Sequence, residues 1–124
     1  PGNLQDQIRT QLSTTLIGVL AQTLLPKISG GRCAAYETLV VTPGVANLIR
    51  ENKTFRINSA IQTGAKFGMN LMDDSLFDHW VEERVAMEDV LGKAQDPDSL
   101  AKRIANARRA MMEDIPEEEL EEIE

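Results

Sequence analysis

The 124-residue sequence is poor in aromatic residues, at 4%, and contains one cysteine and one histidine. A single cysteine, Cys33, excludes an internal disulfide and a zinc site made of several cysteines. Its apolar neighbours indicate a small, buried side chain. The lone His79 stands between Asp78 and Trp80, a setting more typical of a surface or half-buried histidine than of a catalyst.

Long apolar runs and phosphate-binding loops are absent as well. No apolar run approaches the roughly 20 residues that span a bilayer, and the first residues lack the pattern of a signal peptide. The sequence therefore predicts a cytoplasmic protein without direct membrane insertion. A P-loop needs clustered glycines before Lys and Ser or Thr, whereas Gly92-Lys93 is followed by Ala94.

The formal net charge of −7 is concentrated at one end of the chain. Residues 113–124 hold eight acidic and no basic residues, which leaves twelve acidic and thirteen basic residues in 1–112. This nearly neutral body offers no basic, aromatic-rich surface for a phosphate backbone, so nucleic acid is not an expected partner. We expect segment 113–124 to be a solvated, disordered tail.

Hydrophobic spacing predicts a mainly helical protein that contains one β-hairpin. Apolar residues recur at helical spacing from Asn3 through Leu20, which predicts one long amphipathic helix. β-Prone stretches on both sides of Ser29-Gly30-Gly31 predict a hairpin. Pro26 restricts the first strand to a sheet edge. We expect 1–41 to form one unit, 42–112 a helical region and 113–124 the tail.

Five shorter helical patterns follow the hairpin. The first begins at Thr42-Pro43, with Thr42 as N-cap, and ends near Glu51. The others cover about 58–66, 69–81, 87–94 and the residues after Gln95-Asp96-Pro97. Adjacent acids such as Asp73-Asp74 and Glu82-Glu83 point to different helix faces, which indicates solvated surfaces. No catalytic, cofactor-binding or metal-binding site is predicted.

Two stretches resemble those of a known protein family: residues 42–51, TPGVANLIRE, and residues 61–69, IQTGAKFGM. Both are similar to PilT-type twitching motility ATPases, the type IV pilus retraction motors of the secretion ATPase superfamily, and the similarity covers about residues 1–105. It implies an α/β fragment, mainly helical: the C-terminal half of a RecA-like P-loop ATPase domain, with a small β-hairpin or edge strands followed by a bundle of helices.

In that family the P-loop and the acidic and histidine boxes precede this region. The resemblance therefore implies that ATP and Mg belong to the parent protein, and that this chain alone is inactive. It also implies a homohexamer that contacts the pilus base or an inner-membrane platform protein, at the cytoplasmic face of the inner membrane. Relatives outside the retraction branch often carry a four-cysteine zinc element, which a single cysteine cannot supply.

The resemblance implies a set of site residues. The family signature begins Ala-Ile-Arg, where this chain has Gly44, Val45 and Ala46, and then continues identically. The expected retraction-motif surface is Asn47, Arg50 and Glu51, with Leu48 and Ile49 as its core. The second family motif comprises Gln62, Thr63, Gly64, Lys66 and Gly68.

Two other functions are compatible with the sequence. A free-standing helical interaction module could dock a partner helix through a stripe that includes Leu100, Ile104 and Met111. An independent enzyme ranks third, because no acid, base, nucleophile or metal cluster can be assembled from these residues.

Overall fold

The computed structural model describes residues 2–113, so the predicted acidic tail lies outside the described residues except for Glu113. Two antiparallel strands follow a first helix, and five more helices complete the order within this range. The elements are α1 (Gly2–Thr15), β1 (Gly18–Pro26), β2 (Arg32–Val40), α2 (Pro43–Arg50), α3 (Ile57–Thr63), α4 (Met72–Val81), α5 (Met87–Lys93) and α6 (Pro97–Glu113). Two short 3₁₀ turns, Thr54–Arg56 and Ala65–Phe67, flank α3. The predicted mainly helical α/β class is confirmed.

The predicted hairpin is confirmed, but the prediction of one long first helix is wrong at its C-terminal end. α1 ends at Thr15, and Val19 and Leu20 belong to β1, which pairs with β2 from Gly18↔Val40 to Pro26↔Arg32. The tight turn is possible because Gly30 and Gly31 adopt φ angles of 102° and 73°. Apolar residues at 16, 19 and 20 have helical spacing, but backbone pairing with β2 places Val19 and Leu20 in the strand.

The larger hydrophobic cluster joins the hairpin to helices α4, α5 and α6. Leu25 of β1, Ala35 of β2 and Leu76 of α4 are fully buried there. Leu100 and Ile104 of α6 are also buried in it, with 2% and 1% exposure. The predicted docking stripe on α6 is therefore wrong, because two of its residues are occupied by the chain's own core.

The smaller cluster holds α2 and α3 together. Its buried members are Val45 and Ile49 of α2, Ile61 of α3 and Met69 of the loop before α4. Leu16, at the end of α1, packs against the same cluster. α2 is thus fixed between the end of α1 and α3.

Several apolar side chains of α1 and β1 are uncovered. Leu4, Ile8 and Leu12 of α1 are 50%, 60% and 44% exposed, and the single buried residue of this helix is Ser13. In β1, Leu20 is 65% exposed. The expected division into 1–41, 42–112 and 113–124 stays a prediction. Within residues 2–113, no helix combines the length and apolar character needed to cross a bilayer.

Candidate functional site

Helix α2 begins and ends with well-defined caps. The Thr42 hydroxyl accepts a hydrogen bond from the Val45 N–H at 3.3 Å, and Pro43 occupies the first turn, as predicted. At the other end, the Lys53 N–H donates to the Leu48 carbonyl at 2.8 Å. Asn52 makes this return possible by adopting a left-handed φ of 57°. The helix therefore has a fixed length and orientation.

The three polar residues of the expected motif lie on the exposed side of α2. Asn47, Arg50 and Glu51 are all exposed. Arg50 donates from Nη1 to the Asn47 side-chain oxygen at 2.7 Å, and Glu51 forms an ion pair with Lys53 at 3.1 Å. These contacts stay within the helix and the following loop, so the structure brings the three side chains to one surface open to a partner.

The two apolar residues of the motif have different surroundings. Ile49 is 6% exposed and lies in the smaller cluster. Leu48 is only half-buried and lines a groove of about 290 Å³ between α2 and α3, with Phe67 on its far side. Ile49 thus anchors α2, whereas Leu48 adds an apolar surface beside the polar one.

The glycines of the second motif serve two different steric needs. A Cβ at Gly64 would lie 2.8 Å from the Met69 Cε and Sδ atoms and 2.9 Å from the Ala60 carbonyl oxygen. Gly68 has a φ of 88° and ends the 3₁₀ turn after α3. The first glycine permits close packing and the second permits a left-handed backbone. The chain break predicted at Gly68 is confirmed.

The polar residues of the second motif do not converge with those of the first. Gln62 lines a cleft between α3, α4 and α6, away from the Asn47 surface. The Thr63 hydroxyl bonds back to the Ser59 and Ala60 carbonyls, each at 3.2 Å. Lys66 stands over the Phe67 ring at 5.1 Å. The second motif therefore supports α3 rather than forming a polar site with α2.

Two acids on α4 link this helix to α6, a role that the sequence analysis missed. Asp73 accepts hydrogen bonds from the N–H groups of Gln95 and Asp96 at 2.8 and 3.0 Å. Asp74 forms an ion pair with Arg103 of α6, whose guanidinium carbon lies 4.1 Å from the Phe77 ring centroid. The prediction of a merely solvated face is wrong for this pair. The partners are about 20 to 30 residues distant, so local spacing carried no signal for them.

His79 holds β2, α4 and the following loop together. It is 9% exposed, with Nε2 at 2.7 Å from the Ala34 carbonyl and Nδ1 at 2.9 Å from the Arg84 Nε. Because a carbonyl only accepts and a guanidinium only donates, Nε2 carries the proton and Nδ1 accepts. The Cys33 sulfur, half-buried, lies 3.8 Å from Nδ1. Both ring nitrogens are occupied, so His79 acts as a structural crosslink.

Asp96 caps the start of α6. Hydrogen bonds from the Ser99 hydroxyl at 2.8 Å and from its backbone N–H at 3.2 Å lower the pKa of Asp96 below its ordinary value of 3.8. The prediction that the Gln95-Asp96-Pro97 segment caps the last helix is confirmed. Among residues 2–113, no group of three or more His, Cys, Asp or Glu side chains is placed to hold a metal ion.

Most of the chain superposes on solved ATPase structures. A crystal structure titled as the pilus retraction motor PilT with bound ADP superposes with a TM-score of 0.71 at 37% identity, over 82% of this chain and 28% of that one. The fold is that of the C-terminal part of such an ATPase domain. The class defined by the fold is therefore that of the pilus-motor ATPases.

Sequence comparison narrows the class to one family. The type IV pilus retraction ATPase PilT of Pseudomonas aeruginosa is 39% identical over 80% of this chain and 29% of its own length. A twitching motility protein of Neisseria gonorrhoeae is 40% identical over 82% of this chain and 27% of its own length. No protein-family model matches the chain. The chain belongs to the PilT-type family and spans less than a third of these relatives.

Proposed function

We propose that this chain is the C-terminal region of a hexameric type IV pilus retraction ATPase, where it serves subunit contact and force transmission without a nucleotide site of its own. The observation that carries the proposal is the set of uncovered apolar side chains of α1 and β1. In a free-standing domain, Ile8, Leu12 and Leu20 would all face water. In a longer ATPase, the nucleotide-binding core covers these side chains.

The C-terminal end of α1 provides a path for transmission. Ser13 of α1 is buried, and Leu16, directly after α1, packs against the cluster that contains Val45 and Ile49 of α2. The Val41 N–H also donates to the Ile17 carbonyl at 2.9 Å, directly before α2 begins. A shift of the core against α1 is therefore passed on to α2, because packed side chains and hydrogen bonds transmit displacement between the elements they join.

The exposed surface of α2 is the place where this movement reaches a partner protein. Within residues 2–113, the side-chain hydrogen bonds and ion pair of Asn47, Arg50 and Glu51 stay in their own helix and loop, and the three residues are exposed to a partner. An inner-membrane platform protein at the pilus base is the partner that we propose, which locates the motor at the cytoplasmic face of that membrane. ATP and Mg act in the remainder of the protein, and the second motif supports α3 behind α2.

The test replaces exposed residues at the end of α2 and leaves the buried core unchanged. In the complete ATPase, the double variant Arg50→Ala/Glu51→Ala should reduce pilus retraction while ATP hydrolysis, measured as phosphate release, stays near the wild-type rate. Arg109→Ala/Glu88→Ala is a matched control, because both side chains are exposed and distant from α2 in sequence. Equal loss of retraction and hydrolysis would indicate a folding defect and remove the support for transmission. A protein extended through the P-loop that neither binds ATP nor forms rings would refute the proposal as a whole.

A further inference from the structure

The loop after α2 presents an aromatic side chain to solvent in a fixed position. Phe55 is 76% exposed, although the loop itself is held by hydrogen bonds. The N–H of Lys53 returns to the Leu48 carbonyl, and the N–H of Arg56 donates to the Lys53 carbonyl at 3.0 Å. An exposed aromatic side chain on an ordered loop is a common anchor of protein interfaces, because little conformational entropy is lost on binding.

Positive charge surrounds this anchor. The Arg56 guanidinium carbon lies 5.6 Å from the centroid of the Phe55 ring. Residues 50–56 carry three bases and one acid, and that acid, Glu51, is already paired with Lys53. Among the described residues, Arg56 forms no ion pair within the chain. The surface that receives Phe55 should therefore be an apolar cavity with carboxylates at its edge.

The chain itself contains a cavity of this kind, between the hairpin turn and the loop from α4 to α5. Its volume is about 330 Å³, and Glu83 lies at its edge. The apolar residues that line it are Ile28, Trp80, Val85, Ala86 and Met87. The cavity is open to solvent, and its volume exceeds the roughly 150 Å³ that accommodates a benzene ring.

The charge at this cavity is opposite to that of the Phe55 loop. Residues 82–89 carry four acids and one base. Glu82 is paired with Arg84, whereas Glu83 forms no ion pair within the described part of the chain. Glu83 is held in a left-handed backbone conformation, with a φ of 60°, where α4 ends. The cavity thus has room for the Phe55 ring, and the acids of residues 82–89 are opposite in charge to the bases of the Phe55 loop.

We infer that Phe55 of one copy inserts into the Trp80–Met87 cavity of a second copy of this chain, with Arg56 facing Glu83. The two surfaces are different parts of the molecule, so each copy can engage two neighbours, in the head-to-tail arrangement that produces rings or open filaments. The contact extends the subunit contact of the proposed function, but it needs neither nucleotide nor pilus and can be tested on the chain alone.

Sedimentation velocity of the 124-residue chain over a range of concentrations tests this contact. The wild-type chain should associate beyond a monomer, and Phe55→Ser should raise the dissociation constant at least about tenfold. Phe67→Ser is the matched control, since Phe67 is also exposed, at 53%, and its ring also lies beside a cation, Lys66 in place of Arg56. Ile8→Ser controls for association through the uncovered apolar side chains of α1.

Charge reversal provides a second test, whose result does not depend on whether any one variant folds. Arg56→Glu and Glu83→Arg should each weaken association, and the double variant should restore it, because the pair is re-formed with opposite polarity. Far-UV circular dichroism verifies that each variant is folded. A monomeric wild-type chain, an unaffected Phe55→Ser, loss of association in either control, or absence of rescue in the double variant would each overturn the inference.

Discussion

The two hydrophobic clusters of the chain are held together by different means. Around Leu76, the hairpin and helices α4 to α6 share a core, and polar side chains reinforce it. Asp73 binds the loop before α6, and His79 bonds to β2. Around Val45, α2 and α3 meet through apolar side chains, while the polar side chains of α2 point outward. The first region is crosslinked by polar side chains, whereas the second exposes its polar side chains to solvent.

This difference predicts that stability and function separate between the regions. The hydrogen bond of the buried His79 to the Ala34 carbonyl resists rearrangement, because breaking it leaves a buried polar group unsatisfied. Apolar helix contacts without such crosslinks allow small sliding movements. We therefore expect the largest stability losses from the cluster around Leu76 and the largest functional losses from α2.

The largest effect should come from Leu76→Ala. Leu76 is fully buried among the hairpin and three helices, so truncation removes apolar contacts and leaves a cavity. We expect the free energy of unfolding to fall by about 2–5 kcal/mol, measured by urea denaturation. Leu48→Ala, at a half-buried position, is the control and should cost clearly less. Equal losses at both positions would break the proposed contrast between the regions.

A smaller effect should follow from Gly64→Ala, which sharpens the comparison within the α2–α3 region. The new methyl group would meet both Met69 and the Ala60 carbonyl, and the carbonyl belongs to the helix backbone and cannot move aside. We expect a loss of about 1–3 kcal/mol in thermal or urea unfolding. Gly44→Ala is the matched control, because the nearest atom would be the Thr42 Oγ1 at 3.8 Å. That variant should be neutral or stabilising, and a loss as large as that of Gly64→Ala would contradict the steric argument.

The smallest effect concerns the pH dependence of the α6 cap. The pKa of Asp96 is lowered in the folded state, chiefly by the Ser99 hydroxyl, so its ionised form stabilises the fold. This contribution is present above the unfolded value near 3.8 and is lost as the pH falls through the folded pKa. Ser99→Ala should reduce the acid-dependent loss of stability seen in denaturation curves. Ser29→Ala in the hairpin turn should leave the acid-dependent loss of stability unchanged. If Ser99→Ala has the same pH profile as the wild-type chain, the α6 cap is not the source of this loss.

Local patterns in the sequence predicted most elements but not their tertiary links. Thr42-Pro43 and Gln95-Asp96-Pro97 mark helix starts because capping is a contact between near neighbours. The boundary between α1 and β1 could not be predicted from Leu16 to Leu20, since pairing with β2 decides it.

Of the polar residues in the candidate site and its surroundings, those close in the sequence were predicted and those linked over long distances were not. Residues 47–51 were grouped by the resemblance and by helical spacing, and the structure places their three polar members on one exposed surface. The bonds of Asp73 to Gln95 and Asp96, and of His79 to Ala34, join residues 22 to 45 positions apart. No local pattern encodes such pairs, so only the folded structure reveals them.

The central claim is that this chain is the C-terminal region of a larger retraction ATPase, whose core covers α1 and β1. The most direct measurement is the coding sequence upstream of Pro1. We predict an in-frame segment with a glycine-rich P-loop followed by acidic and histidine boxes. A start codon immediately before Pro1 would contradict the claim, because the exposed apolar side chains of α1 and β1 would then have no ATPase core to cover them.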